Sequence, residues 1–213
     1  MPRSRGSSRR PSPRSCASRC SAARCPPRPL LMHSAADPFH LRQARRDDVA
    51  TIERLIERSV RQLGAPWYSA DQLASALRFM FGVDTQLIDD GTYYVAQDAE
   101  RVVASGGWSG RRTLFGGDQW KHGADAPLDP ATEPARIRAF FVDPGSARRG
   151  LGRLLFDRCL AEARAARFQR LELMATLPGE PLYRALGFAA DERVELTLPD
   201  GVQVPLVRMS RAI

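Results

Sequence analysis

The feature that most constrains this chain is a strand, a basic glycine-containing turn and a helix in direct succession. Residues 137–142 (IRAFFV) predict a strand, because four of the six are β-branched or aromatic. Asp143 and Pro144 end that strand, and the turn ARRGLGR follows at 147–153. A helix over 150–166 is predicted next from its apolar stripe.

This junction predicts an anion site. The first turn of a helix leaves backbone N–H groups without internal partners and carries the positive end of the helix dipole. Gly150 and Gly152 let a ligand approach the backbone, and Arg148, Arg149 and Arg153 add positive charge. A pyrophosphate fits such a site. The alternative is a plain helix start with solvated arginines, since the whole chain is rich in arginine.

Two common phosphate-binding motifs are excluded. A P-loop needs Gly-Lys-Ser/Thr after the turn, and the turn at 147–153 has none. A dinucleotide-binding fingerprint needs a third glycine and an acidic residue after a second strand, and both are missing.

The rest of the chain predicts a mixed α/β fold. The predicted element order is β-α-α-β-β-β-α-β-α-β-β, which implies a mainly antiparallel mixed sheet with helices on both faces. Ser69 and Gln72 form a predicted capping box for the second helix. A long Gly-, Asp- and Pro-rich loop is predicted over 108–134, and loops of that length are often functional. Pro199-Asp200-Gly201 predicts a hairpin between the last two strands.

These motifs resemble the GCN5-related N-acetyltransferase (GNAT) superfamily. The turn Arg148–Arg153 after its strand is similar to the acetyl-CoA motif of that family, and LYRALGF at 182–188 is similar to its second hallmark, a tyrosine on a short helix followed by Gly-Phe. The resemblance covers roughly residues 39–211 and is strongest over 137–190. It departs at Ala147, where the family usually has Gln or Arg, so we expect weaker side-chain support for the phosphates.

The resemblance implies an acetyl-CoA-dependent N-acetyltransferase that transfers acetyl directly to a primary amine, without a metal. The turn would hold the pyrophosphate, and the strand end would pair with the pantetheine arm and polarise the thioester carbonyl. Tyr183 would be the catalytic acid that protonates the leaving thiolate. The implied cofactor-binding residues are Phe140, Phe141, Val142, Arg148, Arg149, Gly150, Leu151, Gly152 and Arg153.

The general base and the acceptor stay open. An alkylammonium must lose a proton before it attacks, and Glu172, His122 and Asp143 are candidates that are each more typical of structural or solvated groups. Cys159 lies on the apolar stripe and is interpreted as a core residue. Aromatic residues that could form walls of the acceptor pocket, or equally the core, are Trp67, Tyr68, Trp108 and Trp120.

Net charge does not point to nucleic acid. The chain carries +8, but residues 1–31 hold eight arginines and no acid, which leaves 24 basic and 24 acidic residues elsewhere. We interpret 1–36 as a disordered extension, or as sequence upstream of a true start at Met32, with a targeting segment as the alternative. Residues 37–213 then form one N-acetyltransferase domain. No apolar stretch is long enough to span a membrane, and one cysteine outside the extension favours a reducing compartment, hence the cytoplasm.

Two other hypotheses stay open beside the enzyme hypothesis. One is a non-catalytic acyl-CoA sensor on the same fold, and the other is a protein that binds nucleic acid or an acidic partner through its basic extension. For the enzyme we expect a small-molecule or peptide amine as the acceptor, no nucleic acid or membrane partner, and a monomer or homodimer.

Overall fold

The structure, a computed structural model, describes residues 39–121, 123 and 125–213. Its strands are β1 (His40–Gln43), β2 (Tyr93–Asp98), β3 (Arg101–Ser109), β4 (Ala135–Val142), β5 (Arg170–Thr176), β6 (Ala189–Thr197) and β7 (Gln203–Ala212). Its helices are α1 (Val49–Gly64), α2 (Ala70–Phe79), α3 (Thr85–Asp89), α4 (Leu151–Ala165) and α5 (Glu180–Ala185).

The strands form one seven-stranded sheet in the order β1-β2-β3-β4-β5-β7-β6. Neighbours pair antiparallel except β4 and β5, which are parallel and are connected through α4. A parallel pair needs such a crossover, because its strands run in the same direction. The predicted mixed, mainly antiparallel α/β fold is therefore confirmed.

Helices cover both faces of this sheet because their apolar residues recur at helical spacing. Leu155 and Cys159 of α4 are fully buried in one core, which also includes Tyr183 of α5. Ile52 and Leu55 of α1 belong to a second core, on the side covered by α1, α2 and α3. The predicted capping box is present, with the Ser69 and Gln72 side chains each accepting from the other's backbone N–H at the start of α2.

The sheet opens between β4 and β5. Their register consists of two pairs, Ala135 with Leu171 and Arg136 with Glu172, both at the start of the strands. Beyond them β5 continues to pair with β7 on its other side along all seven residues. The edge of β4 from 137 to 142 that faces β5 therefore has backbone groups available for another partner.

Some predictions differ from the structure. The helix α3 was not predicted, since five residues show no clear periodicity. Trp108 was assigned to the long loop but lies in β3, packed edge-on against Phe168 at 6.0 Å between ring centroids. The predicted extension 1–36 and His122 lie outside the described residues. In the described part, no helix is long and apolar enough to cross a membrane.

Candidate active site

The connection from β4 to α4 is built by local hydrogen bonds. Asp143 is buried, and its Oδ1 accepts from the N–H of Gly145 at 3.0 Å, which starts a short 3-10 turn over Pro144–Ser146. Its other oxygen, Oδ2, lies 3.0 Å from Nη2 of Arg58 on α1. This ion pair fixes the beginning of the turn against α1.

The turn presents a row of backbone N–H groups. Arg148 and Gly150 both have left-handed backbone conformations, with φ of +64° and +87°. Among the described residues, no N–H from Arg148 to Arg153 has a hydrogen-bond acceptor. Successive N–H groups in such a turn, at the N-terminus of a 15-residue helix, form a concave anion site.

Side chains in the turn have different roles. Arg148, Arg149 and Arg153 are all exposed, and Arg149 also forms a surface ion pair with Asp98 at 3.1 Å and lies over the Phe39 ring at 4.6 Å. Gly152 allows close packing of α4 on α5, because a Cβ there would lie 2.7 Å from Cδ2 of Leu182. The structure therefore gives Gly152 a packing role that the sequence did not predict.

A bulge interrupts β4 next to this turn. Ser105 of β3 pairs with Phe141 while Gly107 pairs with Arg138, so β4 has one residue more than β3 between these pairs. Ala139 takes up the extra length with φ of +55°, a conformation that costs a non-glycine residue about 1–2 kcal/mol. Bulges redirect the backbone locally. Here Phe140 belongs to neither neighbouring ladder, so its amide has no strand partner.

The bulge depends on Gly106. A Cβ at this residue would lie 2.4 Å from Cδ1 of Phe140, inside van der Waals contact. We expect Gly106→Ala to lower the free energy of unfolding by about 1–3 kcal/mol through overpacking and to displace the Phe140 ring. Urea denaturation measures the loss. Gly110→Ala is the matched control, since its nearest heavy atom would be 3.3 Å away; an equal loss in both variants would contradict the expectation.

Tyr183 stands beside the bulge. Its ring packs on Phe140 at 6.2 Å and on Phe188 at 5.8 Å between centroids. The residue is buried, and its hydroxyl has no hydrogen-bond partner within the described part of the chain. Burial raises the pKa of Tyr183, so the phenol is neutral at physiological pH and able to donate a proton.

Comparison with known proteins identifies this arrangement. The profile of the acetyltransferase (GNAT) family matches residues 52–188, which include the bulge, the N–H turn and Tyr183. The chain belongs to this family. A search of curated protein sequences finds no match.

Solved structures of N-acetyltransferases share the fold. A GCN5-related N-acetyltransferase from Rhodopseudomonas palustris is 19% identical, with a TM-score of 0.60 over 82% of this chain and 95% of the other. The PaiA N-acetyltransferase of Thermoplasma acidophilum, in complex with coenzyme A, is 10% identical, with a TM-score of 0.57 over 82% and 99%. A ribosomal-protein-alanine N-acetyltransferase from Brucella melitensis is 17% identical, with a TM-score of 0.55 over 82% and 99%.

The two candidate bases of this GNAT protein that lie in the described residues both form ion pairs. Glu172 is buried and forms ion pairs with Arg136 and Arg208. Asp143 is held by Arg58 and the turn, as described above. Both carboxylates are therefore structural, in agreement with the interpretation favoured from the sequence. Cys159 is also a core residue, since it is fully buried and burial raises the pKa of its thiol.

The aromatic residues that were candidates for an acceptor pocket lie in different parts of the structure. Trp108 belongs to the core on the α4 face and is not part of a pocket on the α1 face. Tyr68, between α1 and α2, connects this segment to the sheet, because its hydroxyl donates to Pro205 O at 2.9 Å and accepts from Leu177 N at 2.8 Å. Burial raises the pKa of Tyr68 to about 12. Trp67 is half exposed, and Trp120 packs on Phe115 at 5.3 Å.

Sequence analysis missed the side chains that surround β4 on the α1 face. Phe81 meets Phe141 edge-on at 5.9 Å, and both are partly buried against the core of that face. Phe81 also lines a cavity of about 590 Å³, which is bounded by α1, α2 and the segment after α2. No sequence motif indicated the proximity of Phe81 to the bulge.

Proposed function

We propose that this protein is an acetyl-CoA-dependent N-acetyltransferase that transfers an acetyl group directly to a primary amine. One observation carries the proposal: the unpaired edge of β4 leads from the N–H row at Arg148–Arg153 to a bulge that lies against a neutral, buried tyrosine. An anion site, an extended edge and a proton donor thus lie in sequence along one strand. The CoA-bound neighbour of the same fold supports this assignment.

The N–H row and the exposed Arg148 and Arg153 fit the pyrophosphate of CoA. Backbone groups of residues 137–142 on the side facing β5 would bind the pantetheine amides as an added strand would. The Val142 N–H now donates to Oγ of Ser59 at 3.3 Å, a weak bond that a pantetheine carbonyl would replace. Acetyl-CoA supplies the activated acyl group.

The bulge supplies the electrostatic part of the mechanism. The Phe140 amide has no strand partner, so it would donate to the thioester carbonyl and stabilise the negative charge that develops on its oxygen. The amine nitrogen bonds to the carbonyl carbon, the carbon–sulfur bond breaks, and Tyr183 donates its proton to the departing thiolate. The amine nitrogen loses a proton to solvent, and the phenolate of Tyr183 takes up a proton from solvent, which restores the phenol.

We assign the acceptor side to the face of α1 and α2. Ala139 and Phe141 of β4 are partly buried on this face, and Phe81, which packs on Phe141, also lines the cavity of about 590 Å³. The lining of that cavity combines apolar side chains with three carboxylates, Glu53, Glu57 and Asp118, and two guanidinium groups, Arg61 and Arg78. An alkylammonium with an apolar substituent fits such a lining.

Thermal unfolding of the full chain with acetyl-CoA tests the cosubstrate. At a concentration 100 times the dissociation constant, a ligand of the folded state adds about 2.7 kcal/mol, which raises Tm by several degrees. A shift followed by CoA release in a screen of primary amines supports the enzyme. A shift without CoA release from any amine supports a sensor, and no shift at millimolar acetyl-CoA overturns the proposal.

A further inference from the structure

A cluster of buried charged side chains lies next to the bulge of β4. Asp84, between α2 and α3, is fully buried, and Arg138, the residue before Ala139, is 2% exposed. Nη2 of Arg138 donates to Oδ2 of Asp84 at 2.7 Å, and Lys121 binds the other oxygen of the same carboxylate. Burial lowers the pKa of Arg138, and the Asp84 carboxylate opposes this effect by favouring the charged guanidinium.

Arg138 also holds the long loop between β3 and β4. Its Nη1 donates to Thr113 O at 2.6 Å, and its Nη2 donates to Gly116 O at 2.7 Å. One planar guanidinium thus binds a carboxylate and two main-chain carbonyls, which a lysine ammonium could not do with the same geometry. Lys121, further along this loop, completes the cluster at Asp84.

The same loop is fixed independently to the segment after α2. The N–H of Gly117 donates to Met80 O and that of Asp118 to Val83 O, each at 2.9 Å. The side chain of Gln119 donates to Phe81 O at 2.8 Å. The loop therefore sets the position of Phe81, which packs on Phe141, while Arg138 sets the position of the loop relative to β4.

A second contact holds the bulge on the same face of the sheet. The Tyr93 hydroxyl is buried, 3.4 Å from Ala139 O and 3.2 Å from Oγ of Ser105. The carbonyl of Ala139 is thus held by Tyr93, and the preceding residue, Arg138, is held by Asp84. These two contacts explain how a non-glycine residue keeps φ of +55°.

We infer that Arg138, together with Asp84, is a positioning residue that fixes the acetyl-binding amide of the bulge and the acceptor wall at Phe81 relative to each other. Arg138 itself touches neither reacting group. This inference rests on the proposed N-acetyltransferase function. It predicts that Arg138 matters for the acetyl end of the cosubstrate and for catalysis, and not for the pyrophosphate turn.

The test compares CoA with acetyl-CoA. Since the Phe140 amide would contact only the acetyl carbonyl, Arg138→Met should weaken acetyl-CoA binding about five- to tenfold more than it weakens CoA binding, as expected for loss of one additional hydrogen bond. With the best amine from the screen, kcat should fall by about 10²-fold through misplacement of the reacting groups. Titration calorimetry and CoA-release kinetics on the full chain measure these quantities.

Arg136→Met is the matched control. Arg136 is two residues earlier on β4 and forms a buried ion pair with Glu172 at the closed end of the gap. It should lower stability without changing the ratio of the two affinities. Equal losses of CoA and acetyl-CoA binding in Arg138→Met, the same ratio change in Arg136→Met, or no change in either would each overturn the inference.

Two further measurements keep the test decisive. If Arg138→Met does not fold, Asp84→Asn and Arg138→Lys should show the same selective loss, smaller for lysine because the charge is kept. Amide hydrogen exchange without ligand should rise in residues 112–121 and 137–142 in these variants and stay constant in 148–156. If the proposed function fails, the wild-type protein binds neither CoA nor acetyl-CoA, whereas the differences in amide hydrogen exchange between the variants and the wild type are still observed.

Discussion

Tyr183→Phe is expected to lower kcat for acetyl transfer by about 10²–10⁴-fold, the usual contribution of a positioned general acid. Acetyl-CoA affinity should remain unchanged, because the phenyl ring keeps its packing on Phe140 and Phe188 and the lost hydroxyl has no partner in the described chain. Steady-state CoA-release kinetics measure kcat, and calorimetry measures the affinity.

Tyr94→Phe is the control for Tyr183→Phe. Tyr94 is a second buried tyrosine of the same core, and Arg158 covers its ring at 5.1 Å. Its hydroxyl should contribute nothing to turnover. A Tyr183→Phe enzyme with wild-type kcat would remove Tyr183 from the catalytic role and leave proton transfer to solvent.

The pH dependence follows from the direction of the pKa shift. Burial raises the pKa of Tyr183 above the value of about 10 for a free phenol. The rate should therefore rise with pH as the amine deprotonates, without a decline from Tyr183 near pH 10. The stability that comes from keeping this phenol neutral is fully present below about pH 10 and is lost as pH rises through the raised pKa.

Gly150→Glu is expected to abolish the stabilisation of about 2.7 kcal/mol that acetyl-CoA at 100 times its dissociation constant gives the wild type. The residue has φ of +87°, and a carboxylate at this exposed position would repel a bound pyrophosphate and compete for the N–H row. Thermal unfolding with and without acetyl-CoA measures the loss.

Gly150→Asn separates the two effects of that substitution. Asparagine adopts left-handed backbone angles more readily than most residues and carries no charge. Open space surrounds the Gly150 Cβ position, so the amide should be accommodated. This variant should keep most of the acetyl-CoA shift. An equal loss in both variants would mean that backbone strain, and not charge, governs the site.

The local part of the site could be predicted from the sequence. The glycine-containing turn and the helix after it follow from composition and periodicity over 137–166, and the Gly150 conformation agrees with a residue without a side chain. The departure from the family pattern at Ala147 does not remove the row of backbone N–H groups, since those groups do not depend on side-chain identity.

The long-range part could not be predicted. The bulge at Ala139 lies in a segment with ordinary strand composition, and alanine gives no sign of a positive φ. Asp84 and Arg138 are 54 residues apart, so no local pattern indicates their ion pair. Trp108 was misassigned because the Gly-, Asp- and Pro-rich composition of 108–134 predicted a loop from this residue on, whereas β3 continues to Ser109.

The opening between β4 and β5 also divides the sheet into two parts. Four strands lie on one side of it and three on the other, and two residue pairs connect them directly. A molecule bound along the free edge of β4 would strengthen the connection between these two parts, because it adds main-chain hydrogen bonds where the sheet has none of its own. The resistance of the whole domain to unfolding would then rise and fall with the cellular supply of its acyl donor.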